Sequence, residues 1–200
     1  MKRTLLAALL VVSCTSGPLG TVPQPQDVAL KASEAKGLAK CPSSGSMDHT
    51  VAQLKGSDPT AYDRTNQEWS KLKQDGATGG YVAVYSDDPK ACASFSPGAA
   101  TSPSKQISNL VVQFTGSDKA AKAYGSGAFG VNPAQMSAVG GVSGSQTGLG
   151  KNSVRAFLSL GGTEVYLAYW QHDQWVTYLF AVGLSQADGD AMIKAIDHRM

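Results

Sequence analysis

Residues 163–182 have the sequence TEVYLAYWQHDQWVTYLFAV, and this stretch decides the fold. Its aromatic and β-branched residues suit a pleated strand, and the polar residues 171–174 in its middle predict a turn. We expect Trp170 to lie opposite Trp175 across that turn. The stretch therefore predicts an antiparallel β-hairpin that the rest of the chain packs around.

The two faces of this hairpin differ in character, because successive side chains of a strand point to opposite sides. One set of side chains is apolar and predicts a core face: Val165, Leu167, Tyr169, Val176, Tyr178, Phe180 and Val182. The other set includes the large aromatic residues Tyr166, Trp170 and Trp175, which is more than a solvent-facing surface ordinarily carries. We expect Trp170, nearer the open side of the turn, to be less buried than Trp175.

Tyrosine and tryptophan side chains combine apolar area with a polar edge, which suits amphipathic ligands and protein partners. The hypothesis from the sequence is therefore that Tyr166, Trp170 and Trp175 form a ligand-binding surface. The alternative is that the N-terminal helices or the glycine-rich segment cover this face, so that it belongs to the core.

The beginning of the chain predicts export. A short basic segment, Met1-Lys2-Arg3, precedes the apolar run LLAALLVV of residues 5–12. This run is too short to span a bilayer but suits a secretory signal peptide. Its end, Val11-Val12-Ser13-Cys14, resembles the lipobox of bacterial lipoproteins, with Val in place of Leu at the first position. The resemblance implies cleavage before Cys14 and a diacylglycerol thioether on it; the alternative is an ordinary signal peptide cut nearby.

This interpretation divides the chain into three parts. We expect residues 1–13 to be the signal peptide, residues 14–26 to be a lipidated N-terminus with a flexible tether, and residues 27–200 to be one extracytoplasmic domain. The expected location is the cell envelope, outside the cytoplasm, with the membrane as a partner through the N-terminal lipid.

Processing also changes the charge of the chain. The full sequence has 17 basic and 15 acidic residues, and removal of residues 1–13 deletes Lys2 and Arg3. The mature chain then has 15 of each and is formally neutral. No run rich in lysine and arginine remains, so the sequence does not predict a nucleic-acid partner.

Two cysteines, Cys41 and Cys92, remain if Cys14 carries lipid. An even number in an oxidising compartment predicts a disulfide between them, with two free buried thiols as the alternative. We expect no metal site, because no histidine lies at ligand spacing from either cysteine.

The remaining patterns predict an α+β fold: an antiparallel sheet of four to five strands with helices packed on one face, and one disulfide. The last helix is expected to pack on the Val165/Phe180 face. Outside the hairpin, the predicted strands are 81–85, 106–114 and 152–160, and the predicted helices are 28–40, 48–56, 59–74, 118–124 and 186–199. The glycine-rich segment 125–150 is expected to be a long surface loop with one brief turn of structure around residues 133–136.

Motifs for catalysis are weak. Residues 125–130, GSGAFG, match GxGxxG, but they follow a helical pattern and open a loop, whereas a nucleotide site needs a preceding strand and a following helix. His49, His172 and His198 are expected to be structural, because a nucleophile, a base and an orienting group must converge in space. We therefore expect no enzyme activity and no cofactor.

The C-terminal part of the chain, residues 106–200, resembles the extracytoplasmic sensor domains of mycobacterial PknH-type kinases and related actinobacterial lipoproteins. The shared pattern is a strand, an aromatic hairpin and a closing amphipathic helix, with a disulfide-ready cysteine pair behind a lipobox. The chain departs from that family in having one candidate disulfide instead of two and no kinase part. The resemblance implies ligand binding or sensing at the envelope, with no catalytic residues.

The function expected from the sequence is a lipid-anchored, non-enzymatic binding or sensor-like protein, whose partner is a small amphipathic ligand or an envelope protein. Two alternatives remain open. One is a structural envelope protein that only contacts other proteins, and the other is a hydrolase with an unrecognised site.

Overall fold

The computed structural model describes residues 22–88, 92 and 105–200. The predicted signal peptide, Cys14 and most of the predicted tether lie outside the described residues. Within the described residues, no helix is long and apolar enough to cross a membrane.

One antiparallel sheet organises the domain. Its strands are β1 (Ala39–Lys40), β2 (Gly45–Ser46), β3 (Ala77–Ser86), β4 (Gln106–Phe114), β5 (Val142–Ser143), β6 (Ser153–Leu160), β7 (Thr163–His172) and β8 (Trp175–Val182). They are arranged in the order β1-β3-β4-β8-β7-β6-β5, and β2 pairs with β3 beside β1. The five long strands therefore lie at the centre, and the hairpin of β7 and β8 lies among them.

Within the described residues, six α-helices accompany the sheet. They are α1 (Pro25–Val28), α2 (Met47–Ser57), α3 (Pro59–Gln74), α4 (Ser117–Ser126), α5 (Pro133–Ala138) and α6 (Gln186–Asp197). The caps follow the sequence signals: the Asp58 and Ser185 side chains accept hydrogen bonds from Ala61 N–H and Asp188 N–H. These bonds satisfy amide groups that a helix start leaves without a partner, so α3 and α6 begin where predicted.

The α+β fold with an antiparallel sheet and one disulfide is confirmed, and the five long strands agree with the predicted number. The short strands β1, β2 and β5 were not predicted. The helices, however, lie on both faces of the sheet rather than on one. The prediction that α6 packs on the Val165/Phe180 face is wrong, because its residues pack with Tyr166 and Trp170. Residues of α2, α3 and α4 pack with Tyr169 and Phe180 on the other face.

The hairpin register differs from the prediction by two residues. Trp170 pairs with Thr177, and Trp175 pairs with His172, which leaves the two-residue turn Asp173-Gln174. Asp173 adopts a positive φ of 45° there, as the favoured two-residue hairpin turns require. Because side chains alternate with period 2, this shift keeps every residue on its predicted face.

The predicted helix over residues 28–40 is wrong. The segment contains the end of α1, a short 3₁₀ helix (Ala32–Glu34) and β1 instead. Lys36 and Gly37 adopt positive φ angles of 55° and 81°, which no α-helix contains. The Leu30 N–H donates to the Asn109 side chain on β4, so this segment packs on the sheet as irregular chain.

Cys41 and Cys92 form the predicted disulfide, and their Cα atoms are 5.2 Å apart. The Cys41 N–H donates to the Val84 carbonyl of β3, so the bridge is attached to the edge of the sheet. Stable disulfides are typical of proteins in oxidising compartments, and this one indicates an extracytoplasmic location.

The glycine-rich segment 125–150 is more ordered than predicted. It contains α5, β5 and a 3₁₀ helix (Gly144–Thr147). The Asn132 side chain accepts hydrogen bonds from the Ala134 and Gln135 N–H groups and so begins α5. Residues 125–130 end α4 and form a turn, so they do not open a helix as a nucleotide-binding GxGxxG would.

Gly189 allows α6 to approach the sheet closely. A Cβ atom at this position would lie 2.4–2.6 Å from ring atoms of Tyr166, whose side chain is buried. We expect Gly189→Ala to lower the free energy of unfolding by about 1–3 kcal/mol, the usual cost of overpacking, although alanine favours helix.

Gly56 in α2 provides the matched control for this prediction, because no atom lies within 4 Å of a Cβ there. Gly56→Ala is expected to raise the free energy of unfolding by up to about 1 kcal/mol through helix propensity alone. Urea denaturation of both variants checks the pair. A stabilising Gly189→Ala would show that α6 does not approach Tyr166 as described.

Candidate functional site

The three aromatic residues predicted to bind a ligand are buried. Tyr166, Trp170 and Trp175 are exposed by 1%, 0% and 1% of their surface. They form part of the core beneath α6 and the N-terminal segment. The open binding face proposed from the sequence is therefore corrected to a covered core face, and Trp170 is no less buried than Trp175.

Helix α6 supplies the polar partners that these buried aromatic side chains need. The Tyr166 hydroxyl donates to the Asp190 carboxylate at 2.7 Å, and the Trp170 indole N–H donates to Asp197 at 3.1 Å. Asp190 and Asp197 are seven residues apart, so they lie on one face of the helix. The surplus of aromatic residues is thus explained by a specific fit to α6.

Two of the three histidines have clear structural surroundings. His172 Nδ1 lies 2.9 Å from Asp197 Oδ1, on the carboxylate that also accepts the Trp170 indole. His198 caps the C-terminal end of α6. The His172 contact joins the hairpin to α6, and His198 ends the helix. Neither arrangement is a catalytic constellation.

The opposite face of the sheet carries a cleft of about 450 Å³. It lies between α3 and the strands β6, β7 and β8, and the turn that follows α4 closes part of it. Its volume is within the range of small-molecule binding sites. This cleft is the candidate functional site.

Apolar side chains from three neighbouring strands form the floor of the cleft. They are Leu158 and Leu160 of β6, Val165 and Leu167 of β7, and Tyr178 and Phe180 of β8. Leu160 remains 59% exposed, which places the open side of the floor at β6. An apolar surface of this extent favours a ligand with an apolar body.

Helix α3 forms the wall of the cleft with Ala61, Arg64, Thr65 and Glu68, which share one helical face. Further along the helix, Trp69 and Leu72 are buried against the sheet. On this face, small or polar residues thus replace large apolar ones, although Tyr62 of the same half of α3 packs against the core. The cleft lies where the Ala61 and Thr65 side chains are too small to fill the space above the strands.

Phe129 lies at the inner end of the cleft. Its backbone φ is 51°, in the left-handed region that bulky residues rarely occupy, and Gly130 next to it has φ 78°. The pairing of Ala128 with Val131 closes the turn that holds Phe129 there. A strained residue of this kind persists only where its surroundings impose it, and such residues cluster at functional sites.

Two small cavities of about 10 and 20 Å³ lie next to the cleft, and each is about large enough for one water molecule. Phe129 and Tyr178 line the cleft and both cavities. The larger cavity reaches Val82 on β3 and Met47 on α2.

Arg64 and Glu68 are the two charged residues that line the cleft. Within the described part of the chain, neither forms an ion pair. Arg64 is exposed and Glu68 is half-buried. The cleft therefore combines an uncharged apolar floor with an unpaired guanidinium and an unpaired carboxylate on its wall.

The tyrosines near the cleft stay neutral. Burial raises the pKa of Tyr178 above its ordinary value and raises the pKa of Tyr124 to about 12. Tyr124 stacks on Tyr169, with ring centres 4.9 Å apart. Burial, followed by the nearby Tyr124 and Glu68, also raises the pKa of Tyr169. Of these three tyrosines, Tyr178 lines the cleft, and its phenol is neutral at neutral pH.

The sequence predicted the floor of this cleft as a core face but did not predict the cleft. Leu158 and Leu160 were assigned to a strand without a role, and Arg64 was not singled out. The sequence did contain a signal for the cleft. It was the contrast within α3 between the small residues Ala61 and Thr65 and the large residues Trp69 and Leu72 further along the helix.

Among the described residues, no group of three or more His, Cys, Asp or Glu side chains is placed to hold a metal ion. No protein-family model and no curated protein matches the chain. Among solved structures, it is similar to the extracellular domain of PknH from Mycobacterium tuberculosis, with 15% identity and a TM-score of 0.38. The alignment covers 87% of this chain and 93% of that one. This likeness is a weak structural resemblance to an extracellular domain.

Proposed function

We propose that the protein is an extracytoplasmic, sensor-like binding protein that takes an amphipathic small molecule in the cleft between α3 and the sheet. The observation that carries this proposal is the 450 Å³ cleft with its apolar floor and its unpaired Arg64 and Glu68. A pocket with many apolar walls and few polar groups is the usual form of a small-molecule site. Binding, rather than catalysis, is proposed because the wall offers charge without a nucleophile and base in contact.

A lipid anchor on Cys14 forms part of the same proposal and rests on the lipobox-like sequence Val11–Cys14. Two or more acyl chains hold a protein stably at a membrane without a transmembrane helix. Cys14→Ser is expected to release the protein from membranes and to remove the mass of the acyl groups. Membrane retention of this variant, with no lipid on the wild type, would remove the anchor from the proposal.

A variant that fills the cleft tests the binding function. Ala61 lines the cleft from the exposed start of α3, so Ala61→Trp places a large side chain in the opening without disturbing the core. We expect this change to weaken binding of the neutral fluorescent probe N-phenyl-1-naphthylamine by at least about tenfold, because the ligand loses its apolar contacts. Fluorescence titration measures the affinity.

Ala52→Trp is the matched control, because Ala52 is exposed on α2 and does not line the cleft. It should leave the affinity for the probe unchanged, and circular dichroism should show that both variants fold. A wild type that does not bind the probe, or equal affinities of the two variants, would contradict the proposed site. That result would favour a protein that only contacts other proteins.

A further inference from the structure

The charge and shape of the cleft indicate the class of its ligand. We infer that the cleft binds a single-chain amphiphile with an anionic carboxylate or phosphate head, the chain on the strand floor and the head at Arg64. This inference rests on the proposed function, because it assigns a ligand class to the same cleft.

The chain assignment follows from the shape of the cavity. The apolar floor runs across β6, β7 and β8, three neighbouring strands about 4.8 Å apart. A flexible single chain lies along an apolar floor of this kind and contacts each strand in turn.

The head assignment follows from Arg64. Its guanidinium is exposed at the wall of the cleft and has no carboxylate partner within the described residues. Arginine binds carboxylates and phosphates through two parallel hydrogen bonds, which a neutral or cationic head does not provide. An anionic head would therefore supply the partner that Arg64 lacks.

Glu68 repels an anionic head. It lies one helical turn from Arg64 and is half-buried. Its charge contributes to raising the pKa of Tyr169, which shows that the carboxylate lies near that phenol. We therefore expect Glu68→Gln to strengthen binding of an anionic amphiphile, by about 2- to 3-fold, through loss of repulsion.

A set of probes with one chain and different heads tests the inference. The probes are dodecanoate, dodecyl phosphate, monododecanoylglycerol and dodecyltrimethylammonium. Each displaces N-phenyl-1-naphthylamine from the full chain carrying Cys14→Ser, below its micelle concentration and at low salt. We expect one or both anions to bind up to about 5-fold more tightly than the neutral and cationic probes, the range for a partly exposed charge pair. The tighter anion identifies the head as carboxylate or phosphate.

Variants of α3 show whether Arg64 causes this preference. Arg64→Gln is expected to abolish the preference for anions, and Arg64→Lys should retain part of it. Lys71→Gln removes the same charge from an exposed position of α3 that does not line the cleft, and it should change nothing. Raising the salt concentration should reduce the preference in the wild type.

The outcomes separate the two proposals. The anionic head would be overturned, with the binding cleft intact, by either of two results. One is that neutral or cationic probes displace the fluorescent probe as strongly as the anions do, and the other is that Arg64→Gln and Lys71→Gln have equal effects. The binding cleft would be overturned if the fluorescent probe did not bind the wild type, or if Ala61→Trp bound it with unchanged affinity.

Discussion

Trp170→Ala is expected to lower the free energy of unfolding by about 3–5 kcal/mol, the cost of removing a large aromatic side chain from a core. The Trp170 side chain is fully buried, and its indole N–H donates to Asp197 at 3.1 Å. Truncation therefore leaves a cavity beneath α6 and also deprives the Asp197 carboxylate of a donor. Urea denaturation measures the loss. If the dependence of the unfolding free energy on urea concentration is unchanged, the shift in midpoint reports a change in stability alone.

Phe157→Ala is the control for this prediction. Phe157 lies on the neighbouring strand β6, on the same face of the sheet as Tyr166, but 37% of its surface is exposed. Its truncation should cost less than about 1 kcal/mol, because a partly exposed side chain leaves little cavity. Equal losses for the two variants would mean that α6 does not cover Trp170, and the aromatic face would again be a candidate binding surface.

Trp170→Phe separates the cavity from the hydrogen bond. Phenylalanine keeps much of the buried ring but has no N–H for Asp197. We expect it to retain most of the stability that Trp170→Ala loses, with a remaining deficit of about 1–3 kcal/mol from the lost hydrogen bond to the carboxylate, which keeps its contact with His172.

The hairpin shows why a sequence can assign faces correctly with a wrong register. The sequence places Trp170 opposite Trp175, whereas the structure pairs Trp170 with Thr177. The error is two residues, and a strand repeats every two residues, so no side chain changes face. The predicted turn, residues 171–174, was too long. The observed two-residue turn depends on the positive φ of Asp173, and an aspartate does not strongly predict a positive φ.

The position of α6 could not be derived from its apolar stripe alone, since both faces of the hairpin are apolar enough to receive it. The deciding contacts are polar and steric. Tyr166 and Trp170 donate to carboxylates of α6, and Gly189 leaves room for the Tyr166 ring. These contacts join residues far apart in sequence, so no local pattern reveals them.

The cleft was missed for a related reason. Periodicity identifies which side chains face inward, but it does not state how closely a helix approaches a sheet. That distance depends on the side-chain volumes of Ala61 and Thr65, which face the strands, and on the turn that holds Phe129. Short elements are likewise stabilised by tertiary packing rather than by their own propensity, so the glycine-rich segment signalled only the turn at residues 133–136, where α5 begins, and not β5.

A second large effect is expected when the bridge between Cys41 and Cys92 is broken. The two cysteines are 51 residues apart, and the chain-entropy model gives about 4 kcal/mol for a loop of that length. The bridge restricts the unfolded chain, and in the folded protein it ties Cys92 to the residue that follows β1. We expect reduced protein to unfold at a lower urea concentration than oxidised protein, by an amount that corresponds to a loss of up to about 4 kcal/mol.

Comparison of reduced wild type with the double variant Cys41→Ser/Cys92→Ser separates the bridge from the side chains. Reduction breaks the bond but keeps both sulfur atoms in place. Cys41 is only 2% exposed, so a serine there also buries a hydroxyl group. The double variant should therefore be less stable than the reduced wild type, by about 1–3 kcal/mol if that hydroxyl finds no partner. Identical unfolding of oxidised and reduced wild type, or alkylation of both thiols in folded, unreduced protein, would contradict the bridge.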